Sequence, residues 1–116
     1  MRLQVTSGAA HGAVRIELAG ELDVDTVGPV RDEVLAALAR DRPSRVVVGM
    51  RRVSFVDSTA VGTLVGCQRA SAAAGARLVL SDPSPFVLRV LWLSGLSGLF
   101  GLPAVPPSSV VSSDGR

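Results

Sequence analysis

The side chains best equipped for chemistry stand together at Asp57-Ser58-Thr59. A carboxylate beside a hydroxyl reads either as a base activating a serine nucleophile or as a residue that orders a loop at a helix start. Nucleophilic catalysis needs a base that is itself oriented by a third group. The one histidine, His11, sits in a turn with no motif around it, so no Ser-His-Asp arrangement is credible and an enzyme is not expected. Cys67 is the only cysteine, and one Cys with one His does not supply a typical zinc site. The glycine-rich ending from Gly95 to Pro103 lacks the spacing of a phosphate loop. Neither metal nor cofactor is expected, and Asp57 is read as ordering its loop.

These residues need elements to hold them. Leu3 to Thr6 is a short extended run that Ser7-Gly8 ends, and His11-Gly12 marks a turn. Ala13 to Leu18 alternates apolar and polar residues, the pattern of a half-buried strand, and Gly20-Glu21-Leu22-Asp23 breaks it. A helix starts near Thr26, a candidate N-cap, or Gly28, with Pro29 in its first turn. Val27, Val30, Val34 and Leu38 recur at helical spacing with Leu35 alongside, while Asp32 and Glu33 turn toward water. Pro43 ends it. Arg45 to Met50 is a β-branched run without alternation, as expected of a strand buried on both faces. Val53 to Val56 leads into Asp57-Ser58.

A second helix runs from about Thr59 to Ala74, with Gly75 after its end. Ala76 to Leu80 is a strand. Ser84 and Pro85 cap and open a third helix, which Ser94-Gly95 stops, and Trp92 on it is assigned to the core. Leu96, Leu99 and Phe100 pack at the end of the domain, or some of them are exposed for a partner. Strands and helices nearly alternate, so the fold class is α/β: a small mixed sheet of about four to five strands covered by three to four helices. Residues 1–102 form one domain, and the Pro- and Ser-rich tail 103–116 is expected to be disordered.

Composition narrows the function classes. The chain has 116 residues, enough for one domain, with 47% hydrophobic and 19% charged residues. Its pI is near 9.9 although its net charge is only +2. Every base is Arg, with no Lys or Tyr, and Arg stays protonated. The arginines are scattered apart from Arg51-Arg52, and aromatic residues make up only 3%, which argues against nucleic-acid binding. This residue usage points to a GC-rich bacterial genome. A single cysteine fits a reducing compartment. The first residues hold no apolar signal core, and no stretch approaches the ~18 apolar residues that cross a bilayer. A cytoplasmic protein without direct membrane insertion is expected.

The segment Asp57-Ser58-Thr59-Ala60-Val61-Gly62, entered from Val53-Ser54-Phe55-Val56, resembles the signature of the STAS family, typified by bacterial anti-sigma factor antagonists. Three further segments agree in order and spacing. Gly20-Glu21-Leu22-Asp23, with Thr26 after it, resembles the family's GELD loop. Arg31 to Leu38 is similar to the amphipathic helix that follows. Ser84-Pro85 through Val90-Leu91 and Ser94-Gly95-Leu96, then Leu99-Phe100, resembles its C-terminal helix and ending. The resemblance spans about residues 3–102. One departure is clear: Ala60 stands where the pattern has Gly, and since Ala favours helix the start is expected to persist.

The resemblance implies a regulatory binding module. The unphosphorylated form binds an anti-sigma factor that is also a serine kinase of the histidine-kinase-like ATPase fold, which frees a sigma factor. Phosphorylation at Ser58 ends the capture, and a phosphatase restores it. Thr59 is the alternative acceptor. The partner surface is expected to hold Glu21, Asp23, Thr26, Asp57, Ser58, Thr59, Gly62, Gly66 and Arg69. Glu21 and Asp23 read equally well as turn residues. At ~100° per residue, Ser58, Gly62, Gly66 and Arg69 share one side of the second helix, with Val61, Leu64, Gln68 and Ala72 on the core side. The bare glycines either admit a partner's backbone or pack closely within their own domain. Ser58 is expected to cap the helix. A second reading makes the chain a STAS accessory subunit of a membrane lipid or anion transport complex.

Overall fold

In the computed structural model, which describes residues 2–103, the eight residues from Leu3 to Ala10 form β1 and the ten from Ala13 to Leu22 form β2. His11 and Gly12 between them have φ of 55° and 80°. Two consecutive positive φ values make the two-residue turn whose twist matches a hairpin. The strands pair antiparallel from Leu3–Gly20 to Ala10–Ala13. β1 therefore outruns its expected end at Thr6. Pairing with Ile16, Arg15 and Val14 holds Ser7, Gly8 and Ala9 extended despite their poor strand propensity.

α1 (Val27–Asp41), β3 (Arg45–Val56), α2 (Ser58–Ala73), β4 (Arg77–Ser81) and α3 (Pro85–Leu93) follow, then a single 3₁₀ turn, Gly98–Phe100. The sheet order is β1-β2-β3-β4, with β2, β3 and β4 parallel. Four strands and three α-helices thus realise the expected mixed α/β layer. α1 and α2 cross between parallel strands and pack against each other. Val27, Val30 and Val34 of α1 and Ala60, Leu64 and Cys67 of α2 bury against Val14, Ile16, Leu18, Val46, Val48 and Met50 of the sheet. Val46 to Met50 is buried throughout, as a strand between two neighbours requires.

β2 does not break at Gly20-Glu21. It continues to Leu22, paired with β3 as far as Val56, through register shifts at Glu17/Ala19 and Gly20/Glu21. Gly20 has φ of 125°, and a Cβ there would collide with the Arg2 carbonyl. That carbonyl accepts the Glu21 N–H at 2.8 Å. The glycine marks a close backbone approach inside the strand rather than its end.

β4 pairs only with Arg45–Gly49 of β3, and α3 packs against β3. Ser84 caps α3 by accepting the Val87 N–H at 3.3 Å, with Pro85 next. Val87 and Leu91 turn inward. Trp92, expected in the core, lies at the surface with 36% of its area exposed. Phe100 is fully buried, whereas Leu99 is exposed. Among the described residues no helix is long and apolar enough to cross a membrane. Of the expected tail, residues 104–116 lie outside the described residues.

Candidate functional site

Parallel β2 and β3 end side by side at Leu22–Val56, and this edge gathers most of the expected site. Asp57 is its hub. Its backbone is extended (φ −106°, ψ 176°) and its Oδ1 accepts the Ala60 N–H at 2.8 Å. Oδ2 accepts the Val24 N–H at 3.0 Å, and the Asp57 N–H donates to the Leu22 carbonyl at 3.2 Å. One carboxylate thus caps α2 and holds the β2–α1 loop against it. Each of its oxygens accepts a backbone N–H, so the carboxylate orders its loop as expected.

Asp57, not Ser58, is the cap of α2. A capping side chain must reach forward from an extended backbone to a free N–H of the first turn. Asp57 has that backbone, whereas Ser58 is already the first helical residue. The Ser58 hydroxyl is therefore not needed to hold the helix, and the residue is exposed beside exposed Thr59. Ala60, at the position where the signature has Gly, is fully buried and lends its N–H to Asp57. The helix start persists as expected.

The outer side of α2 is open. Ser58, Gly62, Gly66 and Arg69 are all exposed, and a Cβ built on Gly62 or Gly66 would meet nothing within 4 Å. Neither glycine serves packing within this domain, which removes that alternative. The inward stripe is Ala60, Val61, Leu64, Cys67 and Ser71. Ala72, expected inward, is exposed, and Gln68 is half-buried. Ser71 satisfies its buried hydroxyl by donating to the Cys67 carbonyl at 2.8 Å.

The β2–α1 loop is knit by its own polar groups. Thr26 Oγ1 donates to the Glu21 carbonyl at 2.8 Å and accepts the Asp23 N–H at 2.9 Å. Asp23 Oδ1 accepts from the N–H groups of Asp25 (2.9 Å) and Thr26 (3.2 Å). Thr26 occupies the N-cap position of α1 but makes no capping bond, because its hydroxyl faces back into the loop. Arg2 pairs with Glu21 (3.6 Å), Asp25 (3.5 Å) and, most closely, Asp23. Glu21 and Asp23 thus act first as loop ligands of Arg2. Asp23 joins the hub through Val24, whereas Glu21 makes its side-chain contact on the Arg2 side. Arg2 gave no signal in the sequence. Val24, an apolar residue between two aspartates and 61% exposed, was the visible clue to this loop's surface.

The remaining reactive groups lie apart. His11 is exposed in the hairpin turn, at the opposite end of β2 from Leu22. Cys67 is buried, and burial pushes its thiol pKa up, with Arg31 opposing. No group of three His, Cys, Asp or Glu among the described residues is placed to hold a metal ion. A depression of about 560 Å³ lies on the β1–β2 face, lined by Thr6 to Ala10, Ala13 to Arg15, Glu17 and Val47, away from Asp57. None of the residues lining this depression belongs to the Ser58 edge, where Ser58, Thr59, Gly62 and Arg69 are exposed.

Residues 5–103 match the family model described as "Mlab, STAS domain". The anti-sigma F factor antagonist of Paenibacillus polymyxa is 30% identical over 96 residues, covering 83% of this chain and 82% of that relative. The anti-sigma factor antagonist SpoIIAA, solved in its unphosphorylated form, superposes with a TM-score of 0.74 at 29% identity, covering 97% of this chain and 98% of that one. The Bacillus cell fate determinant SpoIIAA, solved in the phosphorylated form, gives a TM-score of 0.67 at 27% identity, over 97% of this chain and 99% of that one. Motif, strand order and family model agree over nearly the whole described chain, and the protein belongs to the STAS domain family.

Proposed function

We propose that this chain is an anti-sigma factor antagonist: a cytoplasmic regulatory binding protein, not an enzyme, switched by phosphorylation of Ser58. Unphosphorylated, it captures an anti-sigma factor that is also a serine kinase, and a sigma factor is released. Phosphate on Ser58 ends the capture, and a phosphatase restores it. The observation that carries the reading is the exposed Ser58 hydroxyl at the first residue of α2, free of the capping duty that Asp57 performs. The relatives named as antagonists, one solved phosphorylated, support it.

A phosphate adds about −1.5 to −2 charges. At Ser58 it meets the positive end of α2 and the first-turn N–H groups that Asp57 leaves free. The domain therefore stays folded in both states, and the change is confined to its surface. Thr59, Gly62, Gly66 and Arg69 continue that surface along α2.

The test is a pull-down from the native bacterium with wild type, Ser58→Ala and Ser58→Asp as bait and partners identified by mass spectrometry. An ATPase-fold serine kinase recovered by the first two and lost from the third is the expected result. Equal recovery of that kinase by all three sinks the switch. Recovery of transporter components by all three moves the chain to the accessory-subunit class.

A further inference from the structure

Seven large apolar side chains are exposed among the described residues: Val24, Leu35, Phe55, Phe86, Trp92, Leu93 and Leu99. Most of them gather around α3. Phe86, Trp92 and Leu93 lie on it, Leu99 follows it, and Phe55 of β3 stacks on Phe86 with ring centroids 5.8 Å apart. A surface helix ordinarily turns a polar side to water. α3 buries Val87 and Leu91, yet its outer side offers mainly Phe86, Trp92 and Leu93, with Arg89 its single charge. Exposed apolar side chains gathered on one element in this way mark an interaction site.

Its position says which one. Phe55 precedes Ser58 by three residues, so their Cα atoms lie within about 11 Å. Phe86 is in the first turn of α3 and touches Phe55. Val24, the most exposed of these side chains after Leu93, is tied to the same helix start through Asp57. The Phe55–Phe86 stack thus lies beside the edge that bears the hydroxyl. We infer that the anti-sigma factor's footprint runs from the start of α2 across the Phe55–Phe86 stack onto α3, with Phe86 as its apolar anchor. The inference rests on the function proposed above and adds the surface that supplies affinity.

The arrangement also accounts for the effect of phosphate. Aromatic pairs offer large contact area at low entropic cost and serve well as interface anchors. A partner closing over Phe55 and Phe86 draws water from their surroundings, the Ser58 side chain included. A neutral hydroxyl tolerates this, but a doubly charged phosphate must be paired or remain hydrated. Arg2, the cation of the adjoining loop, is already engaged with Glu21, Asp23 and Asp25. Closure over phosphoserine therefore buries about two charges that the free first-turn N–H groups of α2 offset only in part.

The experiment is calorimetric titration of the purified serine kinase recovered by the wild-type bait into wild type, Ser58→Asp, Phe86→Ala, Phe86→Leu and Leu93→Ser. Light scattering and thermal melts accompany each variant. Leu93 is exposed, so Leu93→Ser should melt near wild type, whereas Phe86, partly covered by its stack on Phe55, should melt somewhat lower as Ala than as Leu while the fold persists. The expected result is about a tenfold or larger loss of affinity for Phe86→Ala, a smaller loss for Phe86→Leu, and a measurable loss for Leu93→Ser. Unchanged affinity in both Phe86 variants alongside a loss in Ser58→Asp overturns the footprint and leaves the switch standing. Unchanged affinity in Ser58→Asp as well overturns both. A wild-type dimer that Phe86→Ala converts to monomer with kinase affinity intact assigns the surface to a second copy and also overturns the inference.

Discussion

Asp57 joins two segments that are far apart in the chain. It caps α2 through Ala60 and fastens the β2–α1 loop through Val24. Asp57→Ala removes both bonds and should cost about 1–2 kcal/mol in urea unfolding. Asp57→Asn should cost less, because an amide oxygen still caps Ala60 while the amide nitrogen cannot accept from Val24. An alanine variant as stable as wild type would contradict the hub. Cys67 supplies a second check. Burial holds its thiol pKa above the ordinary value, against the pull of Arg31. The folded chain thus keeps a proton that the unfolded chain releases above about pH 8.5. Its contribution to stability is complete below that pH and declines as pH rises further. Urea midpoints at pH 7.5 and 10 should fall more steeply for wild type than for Cys67→Ala, and equal slopes would exclude the thiol as the cause.

At the scale of elements, α2 buries Ala60, Val61, Leu64, Cys67 and Ser71 and presents Ser58, Gly62, Gly66 and Arg69 to solvent. Helical glycines cost about 1 kcal/mol each relative to alanine, and no contact inside the domain offsets that here. Gly62→Ala and Gly66→Ala should each raise unfolding stability by up to about 1 kcal/mol while weakening kinase binding, because a methyl group intrudes on the proposed partner face. A variant that loses stability would show that the glycine serves the fold. The outer side of α2 was legible from its spacing, but the centre of its inner stripe was not. Ala70, Ala72 and Ala73 surround Ser71, so apolar residues occur on several sides and periodicity alone cannot choose among them. Packing against α1 and β4 decides the matter. The ends of β1 and β2 were likewise illegible, because Ser7-Gly8 and Gly20 carry local break signals that strand pairing overrides.

For the whole molecule, the sheet and its helices form a frame on which the charge proposed at Ser58 leaves the fold unaltered. Ser58 is exposed and caps nothing, and an acidic residue in the first turn of a helix is mildly favourable. Ser58→Asp should match wild type in circular dichroism and melt at the same or a slightly higher temperature, even as kinase binding is lost. A variant that melts well below wild type would instead make the switch one of folding.

The sequence by itself determined the order of elements, the His11-Gly12 turn, the Ser84 cap of α3, the buried centre of β3 and the common side of α2 shared by Ser58 to Arg69. Each depends on backbone preferences or side-chain periodicity within a few residues. Only the tertiary structure decided that Asp57 rather than Ser58 caps α2, that Arg2 gathers Glu21, Asp23 and Asp25, that Trp92 stays at the surface and that Phe55 meets Phe86. Most of these outcomes depend on groups distant in sequence: 33 residues separate Val24 from Asp57 across their hydrogen bond. No local propensity encodes such a distance, and it is set when parallel β2 and β3 come to end at the same edge.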